Sequence, residues 1–358
     1  MHADILIVGG GAVGLTSAIG LLEAGHRVTL LERGGVGQEA SWAGGGIMSP
    51  LCSWDYQDAV TRLAHRSMAM FPGAAESLHR ATGIDPEYQR SGMLVLPPYP
   101  VEQARLWCEQ HQFIARVVDL ADCLPPMNQG EQQSALLLPE VAQVRNPRLL
   151  SALRSRVEML GGVILEQYEV RSFVHRGERV AALQTTRGEF SADAYVVTAG
   201  AWSKALLGEH ALHMDVRPIR GQILLLKFDA PPLQHILLKK DLYLIPRRDG
   251  HVLVGSTLED VGFDKSITRE ARDSLLGWVR EIFPAWKHVE PIRHWAGFRP
   301  GSPDNIPTIS RHPHCANLYA NTGHFRYGVT MSLASAELLL NEIENRPQPF
   351  SVAEYRWR

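Results

Sequence analysis

"ILIVGGGAVGLTSAIGLL", residues 5 to 22, carries no charged side chain. Three kinds of segment share that property: a membrane span, a secretory signal, and a buried strand running into a buried helix. A signal needs a basic region before its apolar stretch and a small-residue cleavage site after it, whereas this chain opens Met1-His2-Ala3-Asp4. A span needs about 20 mostly apolar residues, and the run Gly9-Gly10-Gly11 would weaken its start. The glycines instead divide the stretch into a short strand at 4–8, a turn, and a helix over 12–24 that stops at Gly25-His26. "RVTLLE", residues 27 to 32, supplies a second strand and completes a βαβ unit.

Within this unit Gly9, Gly11 and Gly14 fit G-x-G-x-x-G, and Glu32 follows Gly14 by 18 residues at the end of the second strand. Gly9 permits the tight turn, Gly11 allows backbone amides to approach a pyrophosphate, and Gly14 lets helix and strand pack closely. Glu32 stands where a ribose hydroxyl needs an acceptor. The segment therefore predicts a dinucleotide site, not a membrane.

The rest of the composition narrows the class. With 45% hydrophobic and 21% charged residues the chain is that of a globular protein, and 358 residues exceed what one ordinary core fills, so two domains or a large insertion are expected. Thirty-six basic against 38 acidic residues give a net charge of -2, which argues against nucleic acid as a partner. Lys239-Lys240 and Arg247-Arg248 are each followed by Asp and read as solvated surface. Cys52, Cys108, Cys123 and Cys315 form no C-x-x-C, in keeping with a reducing cytoplasm. His312, His314 and Cys315 cluster, but no H-E-x-x-H or second ligand pair accompanies them, and no metal is expected.

Further along, residues 147–160 are amphipathic, 163–169 are strand-like, and "ADAYVVTAGAWS" at 192 to 203 is a buried strand entering a small-residue turn. Residues 221–228, 242–246 and 251–256 read as antiparallel strands, with a helix over 269–282. "LYANTG" from Leu318 and a helix over about 329–345 return to the nucleotide-domain style, so that domain is discontinuous. The Pro-rich spots at 96–100, 124–126 and 230–233 read as loops. "ASWAGGGIMSP" at 40 to 50 adds a second glycine strip, suited to close approach of an anion or a flat ring. Arg299 in "WAGFRPGSPDNIP", residues 295 to 307, offers a planar fork for a carboxylate.

These ordered motifs, with "NTGHFRYGV" at 321 to 329, resemble the FAD-dependent D-amino-acid oxidase superfamily and, within it, the glycine oxidases of thiamine biosynthesis, nearly end to end. The resemblance implies an α/β, overall α+β, fold. A Rossmann-like FAD-binding domain would be made of residues 1–85, 145–215 and 300–358, and an antiparallel-sheet substrate domain of 86–144 and 216–299. It places Ala40, Ser41, Gly45, Gly46 and Ile47 along the flavin, and through a loose alignment puts Val170 beside the cofactor. To the cofactor site it adds Ala12, Val13, Arg33, His324, Phe325, Arg326, Tyr327, Gly328, Val329 and Thr330. Arg299, Arg326 and Tyr243 would bind the substrate carboxylate. Members with covalent flavin carry a Cys near 305–308, where this chain has none, so non-covalent FAD is expected. Asp241 stands where relatives can carry His, and Leu258 where a Met can line the pocket, which leaves fine substrate preference open.

The implied reaction is oxidation of glycine, sarcosine or a small D-amino acid by hydride transfer to flavin, giving oxo acid, ammonia or amine, and hydrogen peroxide from oxygen, with a role in thiamine thiazole synthesis. No side-chain base is needed if the amine is already neutral, and no His/Asp pair is evident. A D-amino-acid or sarcosine dehydrogenase with another electron acceptor is the alternative, and a homo-oligomer is compatible with the sequence. An RNA-modifying flavin module is disfavoured by the lack of a basic face.

Overall fold

The computed structural model describes residues 3–128 and 133–357. Met1 and His2 of the opening segment lie outside the described residues. The strand Ala3–Val8 sits inside a six-stranded sheet whose spatial order is Thr308–Arg311, Leu318–Thr322, Ala192–Val197, Ala3–Val8, Val28–Glu32, Val163–Glu166. All neighbours are parallel except the first pair. Alternation along Ala3–Val8 decides what each face meets. Ile5 and Ile7 pack with Leu15 and Ala18 of the helix Ala12–Glu23, with Leu153, and with Met331 of the helix Gly328–Ile343. Leu6 and Val8 face the opposite way, onto Val180 and Leu183 of the three-stranded meander Val170–Arg176, Arg179–Thr185, Gly188–Phe190. Being covered on both faces removes any place for charge in residues 5–22. Each buried isoleucine or leucine contributes roughly 1.5–3 kcal/mol.

The second sheet has eight strands in the order Arg293–Gly301, Arg217–Lys227, His251–Gly255, Leu242–Pro246, Ile236–Lys239, Met93–Val95, Ser134–Leu138, Arg116–Asp119. It is antiparallel save for the pairing of Ile236–Lys239 with Met93–Val95. The three predicted strands are there, and the first begins earlier, at Arg217, because its N-terminal half pairs with the strand that carries Arg299. Thr268 accepts from the Ala271 amide and caps the predicted helix, Arg269–Ile282.

The sequence reading assigned no element between residues 51 and 145. That span holds the 25-residue helix Asp58–Thr82, with Pro72 inside it, packed on Gly328–Ile343. It also supplies three strands of the second sheet. These strands are short, and none pairs with its chain neighbour across a tight turn: paired residues lie 15 to 143 positions apart, so local periodicity does not reveal them. The three Pro-rich spots all fall in loops. Among the described residues no helix is long and apolar enough to cross a membrane.

Arg247 corrects the surface reading of its dipeptide. It is 5% exposed, while Arg248 is exposed as expected. The strand Leu242–Pro246 ends by directing Arg247 inward, where it is needed by three oxygen acceptors described below.

The helix Ala12–Glu23 tests the packing argument internally. A Cβ on Gly14 would lie 2.0 Å from the Gly9 carbonyl oxygen, whereas one on Gly20 would meet nothing within 4 Å. Gly14→Ala is expected to lower Tm and FAD retention sharply. Gly20→Ala should raise stability by about 1 kcal/mol through helix propensity alone. Thermal melts of the two variants, which differ only in position, check this.

Candidate active site

One elongated cavity runs from the end of the βαβ unit to the second sheet. Gly9, Gly11, Val13, Glu32, Arg33 and Val170 line one end, Ala40, Ser41, Gly45, Gly46, Ile47 and His324 to Thr330 the middle, and Tyr243, Ser256, Arg299 and Asp241 the far wall. The structure thus brings together all the residues expected at the site except Ala12 and Gly14, which do not line it. Ala12 is fully buried, its amide donating to Ser41 Oγ at 2.9 Å, and Gly14 fills the space behind Gly9.

The glycine turn is built for an anion. Gly11 caps the helix Ala12–Glu23 in extended conformation, and the amides of Gly11 and Val13 find no acceptor among the described residues. Orphan amides at a helix N-terminus, with glycine admitting close approach, suit a pyrophosphate. Thr198 Oγ1 donates toward the carbonyls of Val8 and Gly9 at 3.1 and 2.8 Å, occupying both oxygens. Glu32 Oε2 accepts from the Gly10 amide and Oε1 from the Gly34 amide, both at 2.8 Å, which fixes the carboxylate at the cavity wall. Arg33 lies 3.5 Å over the ring of Trp202, another lining residue.

The second glycine strip is a short helix, Ala40–Ala43, leading into the strand Ile47–Met48, not a free loop. Asn146, missed by the sequence reading as a site residue, donates from Nδ2 to the carbonyls of Ser41 and Gly44 at 2.6 and 3.0 Å. From the other side Arg247 donates to Gly45 O at 2.7 Å, to Gln143 Oε1 at 2.7 Å and to Val144 O at 2.8 Å. Burial, reinforced by nearby Arg145, pulls its pKa down to about 10. The strip is therefore held by an amide and a guanidinium that consume its carbonyls and leave its other face to the cavity.

The far wall comes from the second sheet. Gly221 makes room for Arg299, since a Cβ there would sit 2.2 Å from Nη1; Gly255 does the same for the Tyr243 ring. Such strand glycines are the signal that would have marked the close approach in advance. Arg299 donates through Nη1 to Thr257 O at 3.1 Å and through Nη2 to Ser256 Oγ. Among the described residues it has no carboxylate partner, and burial pushes its pKa down, with the nearby Tyr243 hydroxyl opposing this. Arg326 is different: its Nη1 donates to Asp241 Oδ1 at 2.8 Å. Tyr327 bonds through its hydroxyl to Tyr56 and accepts from the Leu51 amide, and burial pushes its pKa well up.

Two residues singled out in the sequence take particular positions. His324 lines the cavity, yet its Nε2 is 2.8 Å from Ser335 Oγ and the residue is 2% exposed, so its imidazole belongs to the helix Gly328–Ile343. Leu258 is 51% exposed and does not line the cavity. None of the four cysteines is a lining residue, and among the described residues no group of His, Cys, Asp or Glu could hold a metal.

The cavity fits FAD: orphan amides for a pyrophosphate, an anchored carboxylate for a ribose, and a bare glycine strip for a flat ring. A family model described as FAD dependent oxidoreductase matches residues 4–341. The chain belongs to this family of FAD-dependent oxidoreductases. It is 42% identical to a glycine oxidase of Pseudomonas aeruginosa and 40% identical to one of Pseudomonas putida, each alignment covering 99% of this chain and 98% of the relative. A bifunctional ThiO/ThiG protein of Trichormus variabilis is 30% identical over 98% of this chain and 54% of its own length. The crystal structure of glycine oxidase from Geobacillus kaustophilus superposes with a TM-score of 0.94 at 26% identity, covering 100% of this chain and 98% of that one.

The Arg247 bonds predict a contrast. Arg247→Met should cost about 3–5 kcal/mol, since three buried acceptors lose their donor, while Arg248→Met should stay within about 0.5 kcal/mol. Denaturant unfolding of both variants is the measurement.

The buried imidazoles predict a pH effect. Burial lowers the pKa of His324 to about 3 and, with His111 adding, that of His65 to about 4. The unfolded chain therefore takes up protons first. Stability is complete above about pH 6.5 and falls as pH drops toward 4, by about 2 kcal/mol at pH 5 for His324. Unfolding free energies at pH 7 and 5 should differ accordingly, and His324→Asn should reduce the difference.

Proposed function

We propose that this chain is an FAD-dependent oxidase of glycine and other small amino acids, among them sarcosine and small D-amino acids. It would give the oxo acid, ammonia or amine, and hydrogen peroxide. The observation that carries the reading is Arg299, a desolvated guanidinium facing the cavity with no carboxylate partner among the described residues. A cation left so is costly until an anion reaches it, and a planar fork receives a carboxylate in two hydrogen bonds. Tyr243, fixed between the glycine strip and Gly255, is placed to donate a hydroxyl to the same group.

When bound, FAD supplies the two-electron acceptor, and oxygen reoxidises it. The residues around it bind and orient. Gly11 and Val13 amides hold the pyrophosphate, Glu32 the ribose, and residues 44–47 the flat ring, all without a covalent link. Arg299 and Tyr243 would fix the carboxylate and so help orient the α-carbon toward the ring. If the substrate amine binds already neutral, no side chain needs to take its proton, and among the described residues no imidazole or carboxylate is hydrogen-bonded to Arg299. In this reading residues 1–85, 145–215 and 300–358 are the FAD-binding domain and 86–144 and 216–299 the substrate domain. The place of action is the cytoplasm, and a role in supplying thiamine thiazole synthesis accords with the ThiO/ThiG relative.

Peroxide release on adding glycine, sarcosine and small D-amino acids to the FAD-loaded protein under air tests the activity, and no turnover of any of them overturns it. Arg299→Ala should raise KM for glycine roughly 10- to 100-fold while the flavin spectrum persists. An unchanged KM would remove Arg299 from carboxylate binding.

A further inference from the structure

Arg299 and Arg326 lie in one cavity and repel one another, but they carry different net charge into it. Among the described residues Arg299 meets neutral oxygens, Thr257 O, Ser256 Oγ and the Tyr243 hydroxyl, and no carboxylate. Arg326 is bonded to Asp241, and that pair crosses the boundary between cavity and solvent: the arginine side chain is 15% exposed, the aspartate 72%. Asp241 thus puts a carboxylate at the outer rim and cancels the charge of the second arginine. A second carboxylate stands near this pair. Exposed Asp55 is close enough that Asp241, after burial, raises its carboxyl pKa. The neighbouring Cys52 thiol is pushed up to about 12 by burial, with Asp55 and Asp241 both adding and Arg326 opposing. Around Asp241 stand Arg326, whose charge it neutralises, and Asp55, while Lys239 and Lys240 precede it in the same hairpin; Arg299 keeps no carboxylate partner among the described residues.

Resting on the amino-acid oxidase reading above, we propose that Asp241 is a specificity-determining residue that restricts the cavity to substrates with a single carboxylate. One uncompensated cation accepts one carboxylate. A second carboxylate on the substrate would point to the mouth, where it meets Asp241 and Asp55 and finds Arg326 already occupied. A neutral or cationic substituent meets no such penalty. The rejection is electrostatic and close to solvent, so it weakens with salt.

The test compares sarcosine with iminodiacetate, which differ by one carboxylate on the same N-substituted glycine frame. On the FAD-loaded enzyme, kcat/KM is measured for both with the unaltered chain, Asp241→Asn and Asp55→Asn, at low and high salt. The unaltered chain should favour sarcosine. Asp241→Asn should shrink that preference at least tenfold by freeing Arg326, and Asp55→Asn should shrink it less. High salt should shrink it in the unaltered chain more than in Asp241→Asn. A preference unchanged within about twofold in Asp241→Asn, or both rates falling together as a structural lesion would produce, overturns the proposal. Acetate and malonate, titrated against the flavin absorbance, test the same charge without turnover. A malonate-to-acetate affinity ratio that does not rise in Asp241→Asn counts against the gate. Failure of every amino acid to turn over would instead sink the oxidase reading.

Discussion

Everything in the cofactor half of the molecule depends on one contact between backbones. The Gly9 carbonyl oxygen lies 2.0 Å from where a Cβ on residue 14 would be, and Thr198 Oγ1 donates to that carbonyl and to Val8 O. The Gly9 amide in turn donates to Leu31 O at 2.9 Å. Three neighbouring strands, Ala3–Val8, Val28–Glu32 and Ala192–Val197, are thereby tied together at their C-terminal ends, where an α/β sheet opens its ligand crevice. Any side chain at position 14 would push the helix Ala12–Glu23 off the sheet and its N-terminal amides off the cavity. Close packing and anion binding are two results of the same missing atom.

The site is otherwise an arrangement of arginines in three electrostatic conditions. Arg247 is buried and spends its donors on protein oxygens, so it supports the glycine strip. Arg326 is neutralised by an exposed aspartate. Arg299 is desolvated and unpaired by any carboxylate among the described residues, which is the condition of a group awaiting an anion. The residue type is the same in each case, and the roles follow from what lies within hydrogen-bond reach.

Those conditions also explain where reading the chain alone succeeded. The βαβ unit, the glycine spacing, Glu32 and the final helix are local signals, and strand and helix periods display them over a dozen residues. The motifs around Arg299 and "GHFRYG" were legible through resemblance. Arg247 was misread because a basic pair followed by Asp looks solvated, and only the direction of the strand end makes one of the two turn inward. Asn146 and Thr198 work through side-chain bonds to backbone more than 100 residues away, which no local pattern can display.

By itself, then, the sequence determined that a dinucleotide is bound and where the chain turns to admit it, because the steric demands of glycine, the helix N-terminus and alternating burial act over short distances. It also supplied the arginines. Only the tertiary structure decided what each would be. The charge a guanidinium presents depends on desolvation and on partners brought from other sheets and loops: Thr257 and Ser256 for Arg299, Asp241 for Arg326, residues 143–144 and Gly45 for Arg247. Electrostatic strength is set by surroundings, and surroundings are made by folding.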